Sequence, residues 1–264
     1  MLINLLVLQS AMSVETSRHI LVTGGTGNIG LALCTQLAKA GYSVLLCARN
    51  REKGEAAVKQ LSRHGAVRLV LLDVGNKDSV QAAAQSLADV KLFAIVNNAG
   101  VMARGASRVA LDTNLCGTMS VCRAFIPFLE ERGRVVNVSS ASGPWFLNKA
   151  SAQVKAVLMN PGVTWAEIEE QAHALAGKDD YGLSKACINA FTMLLAREYP
   201  QFRINACSPG YIPTASAAEK KGTVAIKYLL FDDPPGNGRY YGSDAKRSPL
   251  DRNRDPGSPP YDGP

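Results

Sequence analysis

Short apolar runs alternate with amphipathic segments through the first half of the chain. The first apolar run begins at His19 and is followed by a glycine-rich turn and by helical periodicity over residues 31–40. A second apolar run, residues 42–47, completes a unit of the size that a right-handed βαβ crossover needs. This alternation predicts a parallel sheet with helices on both faces.

The same alternation continues toward the middle of the chain and predicts the remaining elements. The helices are expected over residues 51–64, 78–89 and 109–130, and the strands over 67–74, 92–96, 134–138, 203–207 and 238–242. We therefore predict an α/β fold, a single doubly wound parallel sheet.

Residues 141–180 interrupt the alternation, and we interpret them as a helical insertion over the carboxyl edge of the sheet. A helix is expected over residues 164–176, where Thr164 and Glu167 resemble a capping box. Residues 249–264 are rich in Pro and Gly and predict an irregular or disordered tail. Residues 1–18 are interpreted as an N-terminal extension. Its apolar start has two alternative explanations, a disordered segment or a translation start at Met12. The domain itself is assigned to residues 19–248.

Composition and charge narrow the classes of partner. Of the 264 residues, 47% are hydrophobic and 19% are charged, as in ordinary globular proteins. The formal net charge is +7, but the basic residues are scattered, which favours small anionic ligands such as phosphates over a polynucleotide. We predict no nucleic-acid partner. No run of about 18 apolar residues is present, so we predict no membrane span.

The cysteines indicate the compartment. The six cysteines form no Cys-x-x-Cys pair and lie inside apolar runs, which is typical of reduced, buried thiols. We therefore predict a reducing, cytoplasmic environment and no metal site.

The turn after the first strand has the character of a dinucleotide site. Between Gly24 and Gly30 the glycines permit a tight turn, and the helix that follows presents unpaired N–H groups to a pyrophosphate. A phosphate-loop NTPase would end this turn with Gly-Lys-Ser/Thr, whereas the chain reads Gly30-Leu31-Ala32. The NTPase class is therefore excluded.

The end of the second strand bears on the choice of cofactor. An acidic side chain there favours a free ribose 2′-hydroxyl, while an arginine favours a 2′-phosphate. The chain has Ala48, Arg49 and Asn50, with no acid. We therefore predict NADP(H), with Arg49 over the phosphate; a plain surface arginine is the alternative.

A set of further motifs follows in order along the chain. They are Asn97-Asn98-Ala99-Gly100, Asn114, Ser140, Tyr181-x-x-x-Lys185 and Pro209-Gly210. Together with Thr23-Gly24 and the glycine turn, they resemble the short-chain dehydrogenase/reductase family over residues 19–214. Residues 133–140 and the long insert before the tyrosine are most similar to the monomeric NADPH-dependent carbonyl reductases. The resemblance implies a Rossmann fold and a nicotinamide cofactor.

The resemblance also implies four catalytic positions: Asn114, Ser140, Tyr181 and Lys185. Tyr181 would donate the proton, with the Lys185 ammonium lowering its pKa. Lys185 would also reach the ribose hydroxyls of the cofactor. Ser140 would bind the substrate oxygen. We prefer it to Ser139 because neighbouring strand residues face opposite ways and because the family's serine is the second of the pair. Asn114 would hold a water that supplies protons to Lys185.

The cofactor contacts are carried over by position. Asp73 would meet the adenine amine or, alternatively, cap a helix; Asn97 would form the floor of the ribose site; and residues 209–214 would close over the carboxamide. The full set of expected cofactor residues is Gly24, Thr26, Gly27, Asn28, Ile29, Gly30, Arg49, Asp73, Val74, Asn97, Ala99, Gly100, Tyr181, Lys185, Pro209, Gly210, Ile212 and Thr214.

The chain departs from the family pattern in three places. Position 28 is Asn where the family has Gly, and Asn tolerates left-handed backbone better than most residues. Position 27, basic in the carbonyl reductase branch, is Gly, so NADP preference depends more heavily on Arg49. The loop from Gly100 to Asn114 is short, which predicts an open wall of the substrate cleft.

The resulting hypothesis is NADPH-dependent reduction of a ketone, aldehyde or quinone by a monomer whose insert covers the helix that bears Tyr181. The alternative is a catalytically weak dinucleotide-binding sensor or scaffold of the same fold. Five apolar residues are candidates for lining the substrate cleft, and they are equally compatible with ordinary packing: Trp145, Phe146, Met159, Trp165 and Tyr211.

Overall fold

The computed structural model describes residues 18–102 and 108–263. The expectations for the first 17 residues, and for the middle of the loop between Gly100 and Asn114, lie outside the described residues.

Seven parallel strands form one sheet, which confirms the predicted fold class. The strands are His19–Val22 (β1), Ser43–Ala48 (β2), Val67–Leu71 (β3), Leu92–Asn97 (β4), Leu129–Val138 (β5), Arg203–Cys207 (β6) and Tyr240–Tyr241 (β7). They are ordered β3-β2-β1-β4-β5-β6-β7. The order reverses between β1 and β4, and clefts in such sheets form at the carboxyl ends of the strands at this point.

Ten α-helices flank the sheet in the described residues. They are Asn28–Lys39 (α1), Arg51–Leu61 (α2), Lys77–Gln85 (α3), Gly117–Phe125 (α4), Ser142–Lys149 (α5), Ala152–Leu158 (α6), Trp165–Ala174 (α7), Asp180–Glu198 (α8), Ala215–Ala217 (α9) and Val224–Phe231 (α10). Two π-helical segments, Leu111–Cys116 and Ala218–Gly222, precede α4 and α10.

Both faces of the sheet are buried, as the apolar strands require. Ile20 and Val22 of β1 belong to the core beneath α1, α2 and α10, while Leu21 belongs to the core beneath α4 and α8. Successive side chains of a strand face opposite sides, so an uninterrupted apolar strand serves both cores.

The helix expected over residues 109–130 ends earlier. α4 stops at Phe125, a short 3-10 turn follows over Ile126–Phe128, and β5 already begins at Leu129. Pro127 lacks an N–H and cannot continue the helical hydrogen bonds. Leu129 instead pairs with Leu92 of β4, which explains why β5 is longer than predicted.

The insert contains three helices, α5, α6 and α7, where the sequence predicted only the last. The predicted capping box is present, with Thr164 Oγ1 accepting from Glu167 N and the Glu167 carboxylate accepting from Thr164 N. The insert packs on α8, where the Trp165 ring meets the Phe191 ring edge-on at 5.6 Å between centroids. Consequently α8 is buried on nearly all sides, not on one face alone.

The tail segment, residues 249–263, forms neither helix nor strand but is hydrogen-bonded to the domain. Tyr261 N donates to Arg247 O, and Lys246 Nζ donates to the carbonyls of Gly257 and Ser258. The boundary at residue 249 stays a prediction.

Among the helices of the described residues, none combines the length and apolar character that crossing a bilayer requires.

Candidate active site

A cleft of about 390 Å³ lies at the point where the strand order reverses. Its lining residues come from the ends of β1, β2, β3 and β4, from the start of α1, from the π-helical segment before α4 and from the loop after β6. They are Gly24, Thr26, Gly27, Asn28, Ile29, Gly30, Ala48, Arg49, Leu72, Asp73, Val74, Asn98, Ala99, Gly100, Val101, Thr113 and Ile212.

The turn after β1 has no room for side chains at two of its glycines. Gly24 has φ +64°, and a Cβ built there would lie 2.9 Å from Ala99 Cα. A Cβ on Gly30 would lie 2.2 Å from Gly24 O. The turn is therefore compact because glycine occupies both positions.

The turn leads into α1, whose N-terminus borders the cleft. The N-cap is Gly27, with no side-chain hydrogen bond, and the first turn of the helix carries no acidic residue. The first N–H groups of the helix are therefore left to a ligand, and the helix dipole favours an anion there. Together with the bare glycine turn, these features fit the pyrophosphate of a dinucleotide.

The far end of the cleft holds Arg49 and Asp73. Arg49 is exposed, whereas the neighbouring Asn50 is occupied as the N-cap of α2 and accepts from Lys53 N at 2.8 Å. The predicted alternative role of Asp73 as a helix cap is wrong, because Asn76 caps α3. Asp73 instead accepts from Gly75 N at 3.0 Å and borders the cleft.

Tyr181 and Ser140 meet beside this cleft. Tyr181 is the second residue of α8, and the Ser140 hydroxyl, just after the end of β5, is near enough to lower the pKa of its phenol. Ser139 points the other way and donates from its hydroxyl to Lys185 O at 3.2 Å. The opposite orientation of the two serines is the one expected from strand alternation.

Lys185 lies one helical turn beyond Tyr181 and is buried. Its Nζ donates to Val138 O at 2.9 Å and lies 5.6 Å from the centre of the Tyr181 ring. A Cβ built on Gly100 would lie 3.6 Å from Lys185 Nζ and 3.2 Å from Asn114 Oδ1, so this glycine lets the three elements meet. Burial lowers the pKa of Lys185 to about 8, which leaves the amine mainly protonated at neutral pH.

The expected direction of the Tyr181 pKa is wrong. Burial raises the pKa of this phenol, and the nearby Ser140 hydroxyl offsets that rise only in part. The Lys185 ammonium was expected to lower the pKa, but its nearest oxygen is the Val138 carbonyl. A raised pKa keeps Tyr181 protonated at neutral pH, the state that a proton donor requires.

Asn114 lies in the π-helical segment before α4 and is fully buried. Its Oδ1 accepts from Val101 N at 2.8 Å, and its Nδ2 donates to Val101 O and to Ser184 Oγ, each at 3.0 Å. The side chain is thus occupied in joining the β4 loop to α8. Single π turns inside helices are frequent at functional sites, and Asn114 lies within this one.

Comparison with known proteins identifies the family. The family model for short chain dehydrogenases matches residues 18–153. Carbonyl reductase (NADPH) 3 of Rattus norvegicus is 32% identical over 235 residues, which cover 77% of this chain and 85% of the relative. The chain belongs to the short-chain dehydrogenase/reductase family.

Other members of the short-chain dehydrogenase/reductase family are similar over most of their length. Carbonyl reductase (NADPH) 1 of Homo sapiens is 29% identical over 257 residues, 83% of this chain and 93% of the relative. The structure of salutaridine reductase from Papaver somniferum has a TM-score of 0.72 at 26% identity, covering 85% of this chain and 99% of that one. The chain is therefore an oxidoreductase-family protein, most similar to carbonyl reductases.

Some residues expected to contact the cofactor in this short-chain dehydrogenase/reductase do not line the cleft. Asn97 is buried away from it, donating from Nδ2 to Asn137 Oδ1 at 2.8 Å, so the expected ribose contact by its side chain is not supported. The neighbouring Asn98 lines the cleft instead. Pro209, Gly210, Thr214, Tyr181 and Lys185 lie outside the lining of this cleft, and Thr214 caps α9 by accepting from Ala217 N.

The sequence reasoning missed several lining residues. Ala48, Leu72, Asn98, Val101 and Thr113 border the cleft. Asn98 and Val101 belong to or follow the Asn-Asn-Ala-Gly motif, so the motif was a usable signal for both. Of the apolar candidates for the substrate cleft, Tyr211 lines a cavity that Ala141 also borders, while Trp145 and Phe146 line a separate cavity of about 440 Å³ on the insert.

Gly30→Ala tests the close packing of the glycine turn. The added methyl group would meet Gly24 O, so we expect a loss of about 1–3 kcal/mol in the free energy of unfolding. Gly27→Ala is the matched control, because its Cβ would come no closer than 3.4 Å to Gly24 O and its φ is −79°. Urea unfolding measures the stability of both variants. Equal midpoints for the two would contradict this account of the turn.

Proposed function

We propose that the protein reduces a carbonyl group of a ketone, aldehyde or quinone to an alcohol and uses NADPH. The observation that carries the proposal is that Ser140, Tyr181 and Lys185 lie together, with Lys185 Nζ 5.6 Å from the centre of the Tyr181 ring, beside a cleft whose glycine turn fits a dinucleotide. The similarity to carbonyl reductases supports the same substrate class.

Each catalytic residue has a task that its position supports. Ser140 donates to the carbonyl oxygen and holds it next to the phenol of Tyr181. Tyr181 gives its proton to that oxygen as negative charge develops there. The chemistry that the cofactor supplies when bound is hydride transfer to the carbonyl carbon.

Lys185 and Asn114 support the proton donor. Lys185 joins α8 to the end of β5, because its Nζ donates to Val138 O at 2.9 Å, and this contact keeps Tyr181 beside Ser140. Asn114 ties the Val101 backbone to Ser184, so that α8 and the β4 loop keep a fixed separation around Lys185. The expected water contact at Asn114 stays a proposal, since its side-chain amide already makes three hydrogen bonds within the protein.

The preference for NADPH is assigned to Arg49. Its exposed guanidinium borders the adenosine end of the cleft, and no acidic residue is present at positions 48–50. A guanidinium forms paired hydrogen bonds with a phosphate, whereas an acid at this place would repel it.

We further propose a monomer in a reducing, cytoplasmic compartment. The six cysteines carry no disulfide, and five of them are buried. The insert packs on α8 through Trp165 and through the Arg197 guanidinium, whose Nη2 donates to Val163 O at 2.7 Å. A helix covered in this way has little free surface for a second subunit.

Tyr181→Phe tests the mechanism. The variant lacks the donated proton, so we expect turnover of carbonyl substrates to fall by about 10²–10⁴-fold while NADPH affinity is kept. Tyr228→Phe is the control. Tyr228 lies on α10, and its ring packs against that of Tyr241 in β7 at 5.8 Å between ring centroids. NADPH oxidation against a panel of carbonyl compounds gives the rates. Unchanged turnover in Tyr181→Phe would refute the proposed proton donor, and cofactor binding without turnover by the wild type would support the sensor alternative.

Arg49→Asp tests the cofactor assignment. We expect kcat/KM with NADPH to fall roughly tenfold or more and the preference to move toward NADH, since a hydrogen bond to a charged group contributes about 1.5–3 kcal/mol. Arg51→Asp changes charge identically two residues away, but Arg51 pairs with Glu55 and does not line the cleft. If both variants changed the ratio of NADPH to NADH activity equally, the effect would be one of overall charge and not of a phosphate contact.

Sedimentation velocity tests the proposed monomer. A single species near the chain mass of 28.1 kDa is expected at micromolar concentration. A stable dimer or tetramer would mean that the insert does not block association through α8.

A further inference from the structure

A second cavity, of about 250 Å³, lies next to the catalytic residues. Ala141, directly after Ser140, and Pro144 in the following helix line one part of it, and Ser208 and Tyr240 line another. Between Ala141 and Pro144, Gly143 lies against the backbone of Lys185, since a Cβ built there would be 2.9 Å from Lys185 C, so this side of the cavity borders the helix that bears Tyr181. The cavity is therefore in the right place to hold the substrate on which Ser140 and Tyr181 act.

The tail segment forms the opposite side of this cavity. Its contribution is residues 252–256, together with Ser243, Asp244 and Ser248 from the chain just before it. Since the tail segment has no helix or strand of its own, its position depends on individual contacts with the domain.

Several of these contacts come from one ion pair, between Arg254 and Asp244. The Arg254 side chain is only 8% exposed and the Asp244 side chain 18%. Arg254 Nη2 donates to Asp244 Oδ1, Nε donates to Ser248 Oγ at 3.1 Å, and Nη1 donates to Ser258 O at 2.8 Å. The second oxygen of Asp244 accepts from Gly257 N at 2.9 Å.

The surroundings of the pair support its charged state. Burial alone would raise the pKa of Asp244, but hydrogen bonds from Gly257 N and Arg254 outweigh it, so the pKa lies below its ordinary value. Gly242 leaves room for the pair, because a Cβ there would lie 2.9 Å from Arg254 Nη2 and 3.0 Å from Asp244 Oδ1. The ion pair therefore fixes both ends of residues 244–258.

We propose that the ion pair between Arg254 and Asp244 positions residues 252–256 as a wall of the carbonyl-substrate cleft and thereby sets the affinity for substrate. Arg254 and Asp244 are positioning residues, since they act through the wall that they hold. The inference rests on the proposed function and adds to it a determinant of specificity in the last part of the chain.

Arg254→Met, Arg254→Lys and Asp244→Asn test the inference. With a carbonyl substrate turned over by the wild type, we expect KM to rise at least about tenfold in Arg254→Met, while kcat and the Kd for NADPH change little. Arg254→Lys should have an intermediate KM, because an ammonium keeps the charge but cannot reproduce the three directions of the guanidinium. Asp244→Asn keeps the shape and removes the charge, and its KM should also rise.

Arg123→Met is the matched control. Arg123 pairs with Glu198 at 2.8 Å, with side chains 42% and 34% exposed, and neither residue lines the cavity. Its KM is expected to equal that of the wild type. The Kd for NADPH reports whether each variant is folded. If Arg254→Met loses cofactor binding, the KM of the milder variant Asp244→Asn tests the inference instead.

Unchanged KM in folded Arg254→Met and Asp244→Asn would overturn the inference and leave the proposed function intact. An equal rise of KM in Arg123→Met would also overturn it, because the effect would then follow from a general loss of stability. A wild-type protein that turns over no carbonyl compound would instead contradict the proposed function, and this inference with it.

Discussion

The close approach of two loops at the reversal of strand order determines the arrangement of the site. Thr23 Oγ1, just after β1, accepts from the backbone N–H groups of Asn98 and Ala99, each at 3.0 Å. Asn98 Nδ2 returns a hydrogen bond to Thr23 O at 2.9 Å. A buried N–H without a partner is costly, so the Thr23 hydroxyl is what permits these loops to meet. The cleft, the glycine turn and the buried Lys185 side chain all lie around this junction.

Much of the architecture could be predicted because its determinants are local. The alternation of apolar strands with amphipathic helices specifies a parallel sheet, and the capping box at Thr164 follows from two side chains three residues apart. The end of α4 was missed although its cause, Pro127, is also local. The first two helices of the insert were missed because their apolar residues serve packing against α8, which no local pattern reveals.

Some of the site residues could likewise be predicted from the sequence, and others could not. The Ser140, Tyr181 and Lys185 positions follow from motif spacing, and the structure brings the three together. The direction of Asn97 could not be derived, since it depends on how the end of β4 turns over its neighbours, and there its amide joins a buried chain through Asn137 to Thr192. The raised pKa of Tyr181 depends on burial by the whole fold, which spacing along the chain does not contain.

The short last strand has a consequence for the surface of the protein. β7 contains two residues, and its outer side is occupied by the chain itself: Tyr241 forms an antiparallel bridge with Arg247, and Ser248 N donates to Tyr240 O at 2.9 Å. An open sheet edge is a template for strands of other molecules. By folding back on β7, the chain closes this edge with its own backbone, so the sheet is protected there from edge-to-edge aggregation.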